Sequence, residues 1–406
     1  MSGTTSASWV CCQLGAREHY AVPRALHHAG KLAQLITDAW SAPASLKASV
    51  AAALSTRFSQ RFHAGLAGAN VRSMSASLLA REAQWKLQRR DGWDLVMARN
   101  EWFQREAASL LPQLPAGQTM LFAHSYSAEA ILAEGKRRGW KTILGQIDPG
   151  PEHLVTQARL AAARPEFGPP PAAPPASYFD RWRNECALAD WIVVNSEWSR
   201  DSLIRAGIDG KKLRIIALPF EREPHDAFTR SYPEAFSNER PLRVLFVGTA
   251  TVAKGVADLL LAFERLADAP LDLTIAGDRA MQVPERFLHD SRIHWLGRVD
   301  RASIMTHYRE ADLLVFPSHS DGFGLAQVEA QGWALPIVAS RHCGRVVRDG
   351  ETGVLLAEVS PVAIAAAIHR ALVDPQTLAR FARNIDTTAT AGIATLADAL
   401  GALEQL

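Results

Sequence analysis

The chain has 406 residues, 48% hydrophobic and 21% charged; at roughly 150 residues per domain this suggests two or three sizeable cores and excludes a mini-protein or a disordered tail. Lysines and arginines number 44 against 42 aspartates and glutamates, a formal net charge of +2, too balanced for a protein dominated by nucleic acid. The four cysteines, Cys11, Cys12, Cys186 and Cys343, show no CxxC spacing, so neither a disulfide framework nor a zinc set is expected and a reducing cytoplasm is the natural compartment.

No stretch approaches the 18 or so uncharged apolar residues of a membrane span. The first residues, MSGTTSASWVCCQLGAR, lack a basic leader and a long apolar run, so no secretory signal is expected. A cytoplasmic protein, at most peripheral on the inner face of the membrane, fits these features.

Short β-branched runs alternate with helical stretches along most of the chain, which predicts an α/β fold of parallel sheets covered by helices. SWVCCQ, the helix-like AVPRALHHAG and KLAQLITDAW make one βαβ unit. Further strands are expected at TMLFAH (119–124), KTILGQ (141–146), WIVVNS (191–196) and LRIIALP (213–219). Residues 164–177, RPEFGPPPAAPPAS, read as an extended or mobile surface loop, either a tolerated insertion or a lid near the cleft. Residues 220–241 turn polar and lose periodicity, which marks an interdomain connection. LRVLFVG, LDLTIAGD, IHWLG, DLLVFPS, LPIVAS and TGVLL then form a second βα series. Two doubly wound domains in tandem turn the carboxyl ends of their strands toward a shared crevice, where ligands of such sheets bind.

The most informative stretch is SHSDGFGLAQVEAQGWALPIVAS, residues 318–340. It places a Gly322-Phe323-Gly324 turn after a strand and before a helix opening at Leu325. Free amides and the positive dipole end there favour an anion by roughly 0.3–2 kcal/mol. Asp321 before the turn and Glu329 one to two turns into the helix can line one ligand, and carboxylates accept well from sugar hydroxyls. In LRVLFVGTATVAKGVADLLL, residues 242–261, Lys254 and Gly255 sit between a strand and a helix, where the lysine can offset a diphosphate charge. This is not a Walker A loop, which requires GxxxxGK[ST].

VGTATVAKG, IAGD, WLGRV, YREADLLVFPS and DGFGLAQVEAQGWALPIVAS, in that order and spacing, resemble the retaining family 4 glycosyltransferases. Over the first half the likeness is thinner, in LGAREHYAVPRAL and ECALADWIVVNSEWSRDSLIRAGI. The resemblance implies a GT-B fold of two Rossmann-like domains facing a central cleft. An N-terminal acceptor domain would span 1–230, a nucleotide-sugar domain 231–385, and a terminal helix 386–406 would pack back toward the first domain. It implies a hexosyltransferase that moves sugar from an NDP-sugar co-substrate, with retention and without metal or other cofactor, to a glycan, lipid-linked or small-molecule acceptor, as in polysaccharide biosynthesis.

The same resemblance assigns roles. Asp321 would contact the donor sugar and Glu329 the ribose; the amides of Gly322, Phe323, Gly324 and Leu325 would hold the sugar and distal phosphate. Lys254 would take the diphosphate, the Gly15 amide would close from the first domain, and Arg298 and Val299 would lie near the base. This chain departs from the family in three places. Asp321 stands where glutamate is usual, Thr249 and Ala253 stand where an arginine commonly accompanies the lysine, and Asp148 stands where a histidine is frequent. A nucleotide-sugar epimerase, which could share the two-domain scaffold, and a non-catalytic nucleotide-sugar-binding protein, suggested by the shortened acid and the missing arginine, are the rival readings.

Two further groups were expected to face the crevice. His124, ending TMLFAH, is either catalytic or a satisfied structural histidine. Asp148 either orients an acceptor hydroxyl, acts as a base, or is a turn aspartate before proline. Finally, Arg57, Arg61, Arg72, Arg81, Lys86, Arg89 and Arg90 crowd one stretch around Trp85, either a solvated helical face or a surface for an anionic acceptor or membrane.

Overall fold

Aliphatic runs buried on both sides build two all-parallel sheets. The structure, a computed structural model, describes residues 7–41, 61–114, 117, 119–219, 228–387 and 392–406. In the first lobe β1 (Ser8–Gln13), β2 (Leu32–Thr37), β3 (Val71–Ser73), β4 (Thr119–His124), β5 (Lys141–Gly145), β6 (Trp191–Val194) and β7 (Leu213–Ile215) form a seven-stranded sheet in the order β3-β2-β1-β4-β5-β6-β7. The second lobe has six strands, β8 (Leu242–Val247), β9 (Leu271–Ala276), β10 (Ile293–Gly297), β11 (Leu313–Phe316), β12 (Ile337–Ala339) and β13 (Gly353–Leu355), in the order β10-β9-β8-β11-β12-β13. This is the α/β, doubly wound architecture expected from the strand pattern.

The period of two along each strand decides which helices it meets. Val10, Cys12, Leu121 and Ala123 pack with Trp102, Phe103 and Leu132 on one face of the first sheet. Trp9, Cys11, Met120 and Phe122 pack on the other with Leu26 and with Leu396 and Leu400 of the Ile393–Gly401 helix. Thus the chain's end returns to the first lobe, where Glu404 accepts from Trp9 Nε1 at 2.7 Å and pairs with Lys31 at 2.9 Å.

The strand order reverses between β1 and β4 in one sheet and between β8 and β11 in the other. Loops leaving the carboxyl ends of such neighbours diverge to opposite faces and open a crevice between them. Those loops, at 14–20, 125–128, 248–255 and 317–324, carry Lys254, Asp321 and part of the first-lobe wall of the site.

Residues 164–177 include the expected extended, exposed run, but its first residues are fastened to the second lobe. Arg164 pairs with Asp258 of the second lobe at 2.7 Å, and Phe167 is buried against Phe287 with ring centroids 6.0 Å apart. The Phe167 carbonyl also accepts from the Gln282 amide at 3.1 Å. One aromatic side chain in a proline- and alanine-rich run is enough to fasten it, because full burial of phenylalanine is worth roughly 1.5–3 kcal/mol. Pro165, Glu166 and most of the proline stretch beyond Gly168 are exposed.

Residues 220–227 of the expected connection lie outside the described residues. Further on, Arg230 donates to the carbonyls of Tyr308 (2.7 Å) and Trp333 (3.0 Å), and Tyr232 to that of Asp312 (3.0 Å), so residues 230–232 are fastened to the second lobe. Among the described residues no helix is long and apolar enough to cross a membrane.

Candidate active site

The Lys254 loop leaves β8 and the Asp321 loop leaves β11, and close backbone approach brings them together. Gly255 has φ +74°, and a Cβ there would stand 2.0 Å from the Pro317 carbonyl oxygen. Only glycine lets the two loops meet in this way. The His319 amide donates to the Ala253 carbonyl at 2.8 Å, locking the contact. Lys254 Nζ is thereby ion-paired to Asp321 Oδ2, 5.6 Å from the centroid of the Phe316 ring. A cation at that distance from an aromatic face is attracted to it as well.

Asp321 is held from both sides. Its amide donates to the His342 carbonyl at 2.9 Å, and its Oδ1 accepts from the Phe323 amide at 3.2 Å. One of the four amides assigned to the donor is therefore engaged by the aspartate itself. Phe323 packs into a small apolar cluster with Leu218 and Val328. The helix Leu325–Gly332 begins at Gly324, and as at any helix start its first amides have no intrahelical acceptor.

Glu329 lies on this helix and is oriented by a residue the sequence reading missed. Tyr308 Oη, fully buried, donates to Glu329 Oε2 at 2.6 Å, and burial beside that carboxylate raises the phenol well above its ordinary range. Glu329, Arg298 and Val299 line one cleft of about 580 Å³ with Gly248, Gly277 and, from the first lobe, Ala16 and Tyr20. Arg298 is exposed and pairs with Asp278. The wall from the first lobe is unusual in backbone: Glu18, His19 and Tyr20 have φ of 50°, 51° and 59°. Three consecutive non-glycine residues in the left-handed region store strain of a kind that gathers at functional sites.

The lobes also touch at Gly322. Ser196 and Ser199 donate their hydroxyls to its carbonyl at 2.6 and 3.2 Å, and a Cβ there would come 2.7 Å from the Ile147 carbonyl oxygen. The turn that carries Asp321 is thus seated directly on the loop that carries Asp148.

Asp148 Oδ1 accepts from Tyr126 Oη (2.7 Å), Gln146 Nε2 (2.9 Å) and the Gly150 amide (2.8 Å). This oxygen builds the turn into the helix Pro151–Ala163. The first turn of that helix presents His153, also missed from sequence, to the Ser320 carbonyl and to the charges of Asp148, Asp321 and Lys254. Burial holds the His153 imidazole below its ordinary range, against the pull of the two carboxylates. The signal was a histidine five residues beyond Asp148 in the first turn of a helix, on the face turned toward the second lobe.

Two expected residues are not brought to this cleft. His124 follows Met120 and Phe122 on the period of two, so it lies on the covered face of the sheet, edge-on to Phe122 and buried. Burial and the nearby Arg17 guanidinium hold it down at about 3, so its ring is neutral. Gly15 is engaged elsewhere: its amide donates to Asp38 Oδ1 at 2.9 Å, because Asp38 ends the neighbouring strand β2, and the residue lines a separate cavity.

The basic stretch is not one helical face. Arg61 pairs with Asp38, Arg72 bonds Gln113, Arg81 bonds Gln84 and Arg90 pairs with Asp94. Arg57 lies outside the described residues. Among the described residues no group of three or more His, Cys, Asp or Glu side chains could hold a metal ion.

Residues 241–374 match the family described as Glycosyl transferases group 1. A D-inositol 3-phosphate glycosyltransferase of Mycolicibacterium gilvum is 34% identical over 228 residues, 52% of this chain and 51% of that protein. A glycogen synthase of Mycobacterium tuberculosis is 33% identical over 154 residues, 35% of this chain and 37% of that protein. The chain thus spans about half or less of these relatives' length. Anabaena HepE in complex with UDP superposes with a TM-score of 0.61 at 15% identity, covering 98% of this chain and 100% of that one. The second lobe is therefore similar to glycosyl transferases group 1 domains over residues 241–374, and the chain as a whole has the two-lobed GT-B fold.

Proposed function

We propose that the chain is a glycosyltransferase that moves a hexose-type sugar from a nucleoside-diphosphate donor to an acceptor held by the first lobe, with retention at the anomeric carbon. One observation carries this reading. A single helix, Leu325–Gly332, has the Lys254–Asp321 pair at its mouth and Glu329, oriented by Tyr308, along its length. A donor lying along that helix meets an ammonium at its diphosphate, carboxylates at its sugar and ribose hydroxyls, and Arg298 and Val299 beside its base.

In this reading Lys254 and the helix-start amides stabilise charge as it builds on the departing diphosphate, the largest effect expected at such a site. Asp321 and Glu329 fix the donor's orientation. The first-lobe wall, with Asp148 and His153 over the Lys254–Asp321 pair, excludes the water that would otherwise capture the sugar. Protein groups supply the neutralising charge, so the scheme contains no metal. The UDP bound by the similarly folded Anabaena protein makes a uridine donor the first to test.

A panel of NDP-sugars screened by thermal shift tests the reading, since ligand bound to the native state adds stability by mass action. At least one donor is expected to raise Tm by several degrees in the wild type and not in Lys254→Ala. A panel in which none does so contradicts it.

A further inference from the structure

A second cavity, of about 840 Å³, lies on the other side of the 15–20 loop from the donor cleft. It opens between the ends of β1 and β2 and the helices Ser75–Leu87 and Gly92–Leu110. Its volume falls in the range of small-molecule sites, roughly 300–1,000 Å³. The 15–20 loop divides the two cavities, with Ala16, His19 and Tyr20 facing the donor cleft and Gly15 and Arg17 facing this one.

The lining has two chemistries. Arg17, Arg61, Lys86, Arg90 and Arg99 contribute five cations, against only Asp38 and Glu82 as lining carboxylates. Those two acids are taken up by Arg61 at 3.2 Å and by Arg99 Nε at 2.9 Å. The Lys86 side chain makes no hydrogen bond or ion pair with a described residue, and Arg17 Nε is buried with no hydrogen-bond partner among them. Apart from Asn100 the remaining wall is apolar: Leu14, Leu78, Trp85 and Leu95, with Leu79 and Val96 at the rim, 39% and 37% exposed. Arg90 is paired with Asp94 at 3.2 Å, so the Lys86 ammonium and the buried Arg17 Nε are the lining donors left open; beside large apolar side chains they describe an amphiphilic ligand with an anionic group.

We propose that this cavity binds the acceptor, and that the acceptor is a phosphate ester carrying an apolar portion. The phosphate sits among cations delivered by separate elements, Arg17 from the loop after β1 and Lys86 and Arg90 from the end of the Ser75–Leu87 helix and the turn beyond it. Cations arriving from several directions suit the three free oxygens of a phosphate ester better than the single edge of a carboxylate. Arg17 also lies within electrostatic reach of Asp148, so a ligand anchored there is held beside the loop that seats the Asp321 turn. The acceptor role rests on the transferase reading above; the binding chemistry does not.

The test is isothermal titration of the full chain with octyl phosphate below its micellar concentration. Inorganic phosphate and octyl glucoside serve as the anion-only and apolar-only probes. Each titration is repeated with saturating UDP and in Lys86→Glu and Leu79→Asp, both surface positions. Octyl phosphate is expected to bind at least tenfold tighter than either probe, to bind equally well with UDP present, and to lose at least tenfold in each variant while UDP affinity is unchanged. Three results would overturn the assignment: equal affinity for octyl phosphate and inorganic phosphate, displacement of octyl phosphate by UDP, or full affinity in both variants. If octyl phosphate behaves as expected while no nucleotide binds, the donor reading fails and the amphiphilic anion site stands.

Discussion

Lys254 and Asp321, 67 residues apart in sequence, form an ion pair between the loops leaving β8 and β11, the two strands at which the second sheet reverses its order. Topology brings these loops together, and Gly255, by having no side chain, lets them close. In the proposed reaction the ammonium faces the diphosphate and the carboxylate faces the sugar. Lys254→Ala is expected to lower turnover roughly 10²- to 10³-fold, as for loss of one preorganised charge-stabilising group. Steady-state kinetics on a donor identified by thermal shift checks this, and turnover within a factor of about three of wild type would remove the assigned role.

Tyr308 reaches Glu329 from the buried side of the cleft, so Tyr308→Phe deletes one hydroxyl and leaves the ring in place. A hydrogen bond to a charged acceptor is worth about 1.5–3 kcal/mol. Donor KM should therefore rise about tenfold or more with kcat little changed, the pattern for a group that fixes a binding residue. A fall in kcat at constant KM would instead place the pair in the chemical step.

Gly322→Ala probes the seating of the lobes. Its Cβ would meet the Ile147 carbonyl oxygen at 2.7 Å, a contact that only displacement of one lobe relieves. Misplacement of about 1 Å can cost on the order of 10² in rate. Turnover is expected to drop at least about tenfold while UDP affinity, assigned to the second lobe in the proposed scheme, stays near wild type. Parallel loss of both would show that the substitution damages the second lobe itself.

The strands were legible because each is an apolar run bounded by polar or glycine residues, and β11, Leu313–Phe316, is buried throughout. The exception is β3, Val71–Ser73: three residues with an arginine in the middle carry no pattern, and only pairing with β2 makes them a strand. The site was legible where it follows a strand directly, as with Lys254 and Asp321. It was not where the partner arrives from elsewhere in the chain, as with Tyr308 on Glu329, or where a neighbouring strand end captures the residue, as Asp38 does Gly15. Phe167 shows the same limit, since composition described its proline-rich surroundings and not the one ring that anchors them.

His124 gives the fold a pH dependence independent of catalysis. Burial holds its folded-state value at about 3, below the ordinary 6.5 that applies in the unfolded chain. Between these values the unfolded state binds a proton that the folded state does not. Stability from the neutral ring is therefore complete above about pH 6.5 and is lost progressively as pH falls toward 3. At pH 5 the loss is about 2 kcal/mol. His124→Gln is expected to flatten the difference in urea stability between pH 7.5 and pH 5 by about that amount. An unchanged slope would mean that the ring is protonated in the native state.

The central claim is that the second lobe recognises a diphosphate through Lys254, and paired titrations test it most directly. UDP, GDP and ADP are each titrated against the matching nucleoside, in the wild type and in Lys254→Ala. The account predicts that one diphosphate binds at least about tenfold tighter than its nucleoside in the wild type, and that Lys254→Ala abolishes most of this difference without weakening the nucleoside. A diphosphate that gains nothing over its nucleoside, or gains as much without the lysine, would contradict it.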